Sequence, residues 1–200
     1  MLAAGRGLRF GGPQPKPLAL FGGRPLVVRA VETAIASGLA PVLVVVSDHR
    51  VEDALSDYVA SGAIATARND DPEQGISSSL RAALRNFQDD QLVEGVVVGL
   101  ADQPLVGAGA YVRVARAFAD GARLAVATYE GSRGNPVLVG REHWAEAQGL
   151  TGDEGARVLM RRHGAVEVPC DGTGEPTDVD TPEDLAALEI RFASARPLEQ

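Results

Sequence analysis

The chain has 200 residues, of which 45% are hydrophobic and 23% charged. That length and balance suit one globular domain with a sizeable core and exclude disordered or fibrous architectures. A formal net charge of −8 argues against a partner that is a nucleic-acid polymer and against a basic membrane-surface protein.

In chain order, the first residues from Met1 to Gly7 carry no basic stretch followed by an apolar one, so no secretory signal is read there. The glycine-rich run Leu2-Ala3-Ala4-Gly5-Arg6-Gly7-Leu8-Arg9-Phe10-Gly11-Gly12 then leads into Pro13, Pro15, Lys16 and Pro17. Next, Pro25–Ser37 places Leu26, Val27, Ala30, Val31, Ala34 and Ile35 at helical spacing, and Gly38 stops the helix. Pro41–Ser47 and Val93–Leu100 are near-continuous apolar runs of the kind buried on both faces of a parallel sheet. Weaker strands are expected at Ala63–Ala67, Leu124–Thr128, Val137–Val139 and Ala165–Val168, with a helix over Gly75–Phe87 between the first two. Two further helix starts are expected: Thr151 with Glu154 fits a capping box, and Thr181-Pro182 fits an N-cap followed by a first-turn proline. This alternation predicts a single doubly wound three-layer α/β domain over residues 1–192, with a mostly parallel, Rossmann-like central sheet and a tail over 193–200. Ligands of such sheets lie at the carboxyl ends of the strands.

The apolar runs are too short to span a bilayer, so no membrane partner is expected. Cys170 is the only cysteine, which rules out a disulfide within one chain and suits a cytoplasmic location. His49, His143 and His163 are scattered with no ligand spacing, and His143, His163 and Trp144 read as surface or core residues.

Glycines as dense as those of the first loop let a backbone approach a ligand and point N–H groups at an anion. The loop is not a dinucleotide fingerprint, because Phe10 stands where that pattern needs glycine and the prolines forbid the following helix. Nor is it a P-loop, since Lys16 lies between two prolines. A plain glycine-proline loop is one reading; a cradle for a triphosphate, with Arg9 and Lys16 as fixed cations, is the other. Lys16 is also the only lysine among 19 basic residues.

Several segments taken together resemble the sugar-nucleotide-type nucleotidyltransferases. They are Leu2 to Gly11, Pro15-Lys16-Pro17-Leu18 and Gly23-Arg24-Pro25-Leu26, then Gln74-Gly75-Ile76-Ser77-Ser78-Ser79-Leu80 and Gly99-Leu100-Ala101-Asp102-Gln103-Pro104-Leu105-Val106. Arg133 to Val137, Gly152 to Arg157 and Asp178 to Leu185 complete the series, which is similar to the molybdenum cofactor cytidylyltransferase branch of the molybdopterin nucleotidyltransferases. The resemblance implies transfer of a nucleoside monophosphate, CMP from CTP, onto the terminal phosphate of a molybdopterin-type acceptor, with Mg²⁺ as cofactor and a molybdoenzyme as a possible recipient. It places nucleotide binding on Leu2, Ala3, Ala4, Gly5, Arg6, Gly7, Arg9 and Lys16, with Lys16 and Arg9 stabilising charge on the phosphates. It places the metal on Asp102 and Asp180, with Asp178 the nearest competitor, and the acceptor on Ser77, Ser78, Ser79, Asn135 and Pro136.

Plainer readings of the same residues stand beside these. Asp102 suits a turn before Pro104, Asp180 a helix-cap neighbour, the serines simple N-capping, and Asp153 with Arg157 an exposed pair one helical turn apart. Two other enzymes fit the chemistry, a cytidylyl- or guanylyltransferase acting on methylerythritol phosphate or on phospholactate. A non-catalytic nucleotide-binding module that delivers cofactor fits as well.

Overall fold

A computed structural model describes residues 1–195. After the glycine-rich loop come a short hairpin, β1 (Leu20–Phe21) and β2 (Arg24–Pro25), and helix α1 (Leu26–Ala36). Then follow β3 (Leu43–Val46), α2 (His49–Ala54), α3 (Ser56–Ala60), β4 (Ala65–Arg68), α4 (Ile76–Asn86) and β5 (Gly95–Val98). The second half holds α5 (Ala108–Ala119), β6 (Leu124–Tyr129), β7 (Ser132–Gly140), α6 (Trp144–Gln148), α7 (Ala156–His163), β8 (Val166–Pro169) and α8 (Pro182–Ala195).

Leu2 joins two ladders into one sheet. It bridges Val45 of β3 and Leu100 just past β5, both in parallel. The Leu2 and Ala3 amides donate to Gly99 and Val45 carbonyls at 2.9 and 2.8 Å. The strand order is therefore β4-β3-Leu2-β5-β7-β6-β8, with β7 antiparallel to both neighbours and the other pairings parallel. This is the doubly wound α/β fold expected from the alternation of strands and helices.

The period of two along the strands divides the core. Leu43, Val45, Leu124, Val126, Val137 and Val139 pack with Leu80 and Leu84 of α4, Trp144 of α6 and Leu159 of α7. Their neighbours Val44 and Val46 face Val27 and Val31 of α1 and Val51 of α2. Ala125, Ala127 and Leu138 face Ala110 and Val114 of α5. Helices on both faces explain why these strands read as unbroken apolar runs.

Most expected elements are present within a few residues. Helices α2, α3, α5 and α6 and the β1–β2 hairpin are additions. Of the two expected helix starts, Thr181 is a true capping box: its Oγ1 accepts from the Asp184 amide at 3.1 Å, and Asp184 Oδ2 accepts from the Thr181 amide at 2.8 Å. The other start is displaced. Glu154 does reach back to the Thr151 amide, at 3.2 Å, but this closes a turn, and α7 begins only after Gly155. Helix α8 continues through Ala195, so residues 193–195 belong to it rather than to a tail; residues 196–200 lie outside the described residues. Among the described residues no helix is long and apolar enough to cross a membrane.

Replacing Thr181 with alanine removes one half of this reciprocal cap. A loss of about 1 kcal/mol in unfolding free energy is expected, measured by urea denaturation.

Candidate functional site

Three adjacent parallel strands deliver the site at their carboxyl ends. Past Ala3 the chain leaves the sheet into the glycine loop, past β3 it gives Ser47 to Arg50, and past β5 it gives Asp102. A fourth segment is laid alongside. Residues 173–179 run against 102–107 through Gly107 N–H to Thr173 O (2.8 Å), Glu175 N–H to Leu105 O (3.1 Å) and Val179 N–H to Asp102 O (2.9 Å). Val179 is fully buried with Phe21, Leu26 and Leu188, and the flanking Asp178 and Asp180 both line the cleft.

The ammonium of Lys16 lies between two of these carboxylates. Its Nζ is 2.6 Å from Asp102 Oδ2 and 3.4 Å from Asp180 Oδ1, and its side chain is only 9% exposed. Arg9 closes on the far oxygen of Asp180 at 2.9 Å. Gly7 makes the approach possible: its φ is +58°, and a Cβ there would sit 2.8 Å from the Cβ of Lys16. Asp102 Oδ1 is buried without a hydrogen-bond partner among the described residues, a costly state unless a ligand meets it. Asp178 accepts from Gln103 Nε2 at 2.9 Å. Burial first, and then the negative charge of Asp102, raise its pKa above the usual carboxylate range.

Two hollows flank this ionic centre. On one side Gly5 to Leu8, Gly11 to Lys16, Ser47, Asp48 and Arg50 enclose about 380 Å³. The loop is tied there by Ser47 Oγ donating to Ala4 O at 3.2 Å and by Arg50 donating to Pro13 O at 2.7 Å, while Arg50 also pairs with Asp48. On the other side a cleft of about 420 Å³ is lined by Leu2, Arg9, Ile76, Leu80, Asn135, Asp153, Arg157, Arg161, Asp178 and Asp180, among others. A separate apolar cavity of about 200 Å³ opens at the opposite end of the strands, by Val42, Leu43 and Val96, away from these charges.

The fold thus unites Arg9, Lys16, Asp102 and Asp180 and sets Asn135 in the cleft wall. Asn135 reaches it because the β6–β7 register shifts after Val126, leaving Asn135 and Pro136 outside the ladder. Pro136 and Ser77 to Ser79 are not among the residues lining the cleft. The serines are buried and turned into the protein: Ser77 and Ser78 donate to the carbonyls of Gln74 and Gly75 at 3.1 and 2.8 Å, and Asn69 Nδ2 donates to Ser78 and Ser79 at 2.8 and 3.0 Å. Their segment instead supports the loop beyond it. The Ser77 amide donates to Gly152 O at 3.2 Å, and a Cβ on Gly75 would meet Asp153 Oδ1 and Gly152 O at 2.5 Å. Asp153 and Arg157 form no ion pair with each other; both line the cleft. Arg133 pairs with Glu167 at 2.8 Å. Sequence reading missed Arg157 and Arg161 as cleft cations, although their spacing of four residues on one helix puts them on a single face.

A family model described as "MobA-like NTP transferase domain" matches residues 1–167. The chain is 37% identical over 119 residues to a 2-C-methyl-D-erythritol 4-phosphate cytidylyltransferase of Frankia casuarinae, covering 60% of this chain and 42% of the relative, so it spans less than half of that protein. It is 30% identical to the purine catabolism protein PucB of Bacillus subtilis, over 92% of this chain and 91% of that one. The crystal structure of Rv0371c from Mycobacterium tuberculosis superposes with a TM-score of 0.78 at 26% identity, covering 94% of this chain and 95% of the other.

The raised pKa of Asp178 has a consequence for stability. Below the unfolded carboxylate pKa the group is protonated in both states; as pH rises through the folded value, ionisation costs the folded state more than the unfolded one. Asp178→Asn is therefore expected to raise the melting temperature at neutral pH in metal-free buffer, and this gain should vanish on acidification. Thermal denaturation followed across pH checks both halves.

Proposed function

The chain belongs to the MobA-like NTP transferase domain family, a nucleotidyltransferase family, and from this membership and the charge pattern of its cleft we propose CTP-dependent cytidylyl transfer to a molybdopterin-type acceptor. The observation that carries the reading is Lys16 held between Asp102 and Asp180, with a glycine-lined hollow on one side and an arginine-lined cleft on the other.

In this reading the backbone of Leu2 to Gly5 and Gly7 holds the base, and Gly5 to Gly7, Arg9 and Lys16 hold the triphosphate. Arg6 stands exposed at the rim of the same hollow. The acceptor's terminal phosphate lies in the cleft against Arg157 and Arg161, with Asn135 beside it. An oxygen of that phosphate attacks the α-phosphorus in line; a new P–O bond forms, the bond to the bridging oxygen breaks, and pyrophosphate leaves. The attacking group is already an anion, so no general base is required, and catalysis rests on positioning and charge stabilisation. Lys16 exchanges its carboxylate partners for phosphate oxygens and, with Arg9, meets the charge that develops on pyrophosphate.

The donor set suits Mg²⁺, a hard cation commonly held by one or two carboxylates plus substrate phosphates. Asp102 and Asp180 would hold it, and Asp102 Oδ1 supplies a buried oxygen that has no hydrogen-bond partner among the described residues. When bound, the ion neutralises phosphate charge and orients the reacting groups.

A second acceptor has a specific observation behind it. The Frankia relative is named for methylerythritol phosphate, which also offers a terminal phosphate. Pyrophosphate release measured with each of the four nucleoside triphosphates, Mg²⁺ and either acceptor separates the readings. CTP with molybdopterin is the expected productive pair. Release only with methylerythritol phosphate would transfer the assignment to that acceptor. Binding of nucleotide with no release under any condition would favour a delivery module for a molybdoenzyme.

Lys16→Ala and Asp102→Asn should each lower kcat by about 10²–10³-fold while far-UV circular dichroism stays unchanged. Arg157→Ala and Arg161→Ala act on the other substrate. Each removes a charge-assisted bond of about 1.5–3 kcal/mol, so steady-state kinetics should show KM for the acceptor raised by roughly ten-fold or more and KM for CTP unchanged.

A further inference from the structure

A second group of metal-ligating side chains lies outside the cleft. His143 closes a 3₁₀ turn over Arg141–His143, Glu146 follows within α6, and His163 is the last residue of α7. His163, distant in sequence from the other two, meets them where the two helices pack. One ligand atom from each lies within 4.8 Å of the other two. His163 Nε2 is 2.6 Å from Glu146 Oε2, and the two imidazole rings are 5.0 Å apart between centroids.

The surroundings are built rather than incidental. Trp144, next to His143, is buried and donates its indole N–H to Val139 O of β7 at 3.1 Å, which seats this end of α6 on the sheet. The second oxygen of Glu146 accepts from Arg162 Nη1 at 2.8 Å, which orients the carboxylate and leaves Oε2 toward the two rings. A carboxylate held from behind in this manner is a common outer-shell arrangement around metals. The His143 side chain is 15% exposed and that of His163 43%, so one wall is covered and one side is open.

We propose that His143, Glu146 and His163 form a binding site for a zinc-class divalent cation, which staples α6 to α7. Two imidazole nitrogens and one carboxylate oxygen are a donor set typical of zinc with a fourth position open to water. Tetrahedral bonds of about 2.0–2.1 Å put ligand atoms roughly 3.4 Å apart, within a side-chain rotation of the present spread. As a bare surface ion pair, His163 and Glu146 would contribute little. The consequence reaches the cleft, because the helix that ends in His163 begins with Ala156, Arg157 and Val158, which line it. A cation at one end of α7 would fix the helix that carries the cleft arginines.

The test uses tag-free full-length protein carrying Asp102→Asn and Asp180→Asn, so that the cleft carboxylates do not compete. Zn²⁺ titrated by calorimetry should show one saturable equivalent and raise the melting temperature. Co²⁺ in its place should give the intense visible bands of a tetrahedral ion. His143→Ala or His163→Gln in that background should weaken Zn²⁺ binding by ~100-fold and abolish the bands. X-ray absorption of the Zn²⁺-loaded protein with wild-type histidines should show imidazole scattering even if one variant folds poorly. Absence of saturable binding, a weak octahedral Co²⁺ spectrum, or equal affinity in the histidine variants would each overturn the assignment.

Discussion

One ammonium between two carboxylates organises the functional end of the molecule. Lys16 Nζ stands 2.6 Å from Asp102 and 3.4 Å from Asp180, and these groups arrive from segments far apart in the chain. Asp102 follows a central strand, Asp180 ends a segment laid against it, and Lys16 comes from the loop that leaves the strand beside both. Two carboxylates this close and partly shielded from water would repel one another without a cation; the pKa of nearby Asp178 is raised first by burial and then by the negative charge of Asp102. The ion pair and the loop conformation therefore depend on each other.

The sheet makes the arrangement possible by bringing three carboxyl ends side by side. Leu2 sits between β3 and β5 and joins their ladders, so the glycine loop, Ser47 to Arg50 and Asp102 emerge as neighbours. The antiparallel β7 has a different part. Its register shift sets Asn135 in the cleft wall, while α7 on the same face of the sheet supplies Arg157 and Arg161. One hollow is shaped by backbone and glycine, the other by side chains.

Much of this was legible in the sequence, and what was not shares a physical cause. The buried strands announced themselves as apolar runs, and Thr181-Pro182 declared a helix start because capping is a local matter. Lys16 and Asp102 were legible from their places, in a glycine loop and at a strand end. Ser77 to Ser79 were read toward the acceptor, yet a hydroxyl turned to a ligand and one turned to its own helix leave the same trace in a sequence; Asn69 decides the matter, and only the fold brings it there. Asp153 and Arg157 looked like an exposed pair because their spacing is right for one, but Gly152 is drawn onto the start of α4 and carries that loop to the cleft. His143 and His163 showed no ligand spacing since their proximity is created by the packing of α6 on α7. Helix α5 was missed because Arg113 and Arg116 interrupt the apolar pattern around its buried residues Ala110, Tyr111 and Val114.

The choice of lysine at position 16 follows from the same geometry. All other basic residues of the chain are arginines, so a bias toward arginine does not explain this one position. An ammonium is a compact point charge that can sit between two carboxylates and be handed to a phosphate. A guanidinium would present a planar fork, hold one carboxylate through two bonds and need more room. Room is what the site lacks: the Lys16 side chain is nearly covered, and Gly7 already gives up a side chain to let it pass. The net charge of −8 has a matching logic. An acidic surface repels polyanions in general, whereas Arg9, Lys16, Arg157 and Arg161 set local cations among the aspartates around one cleft.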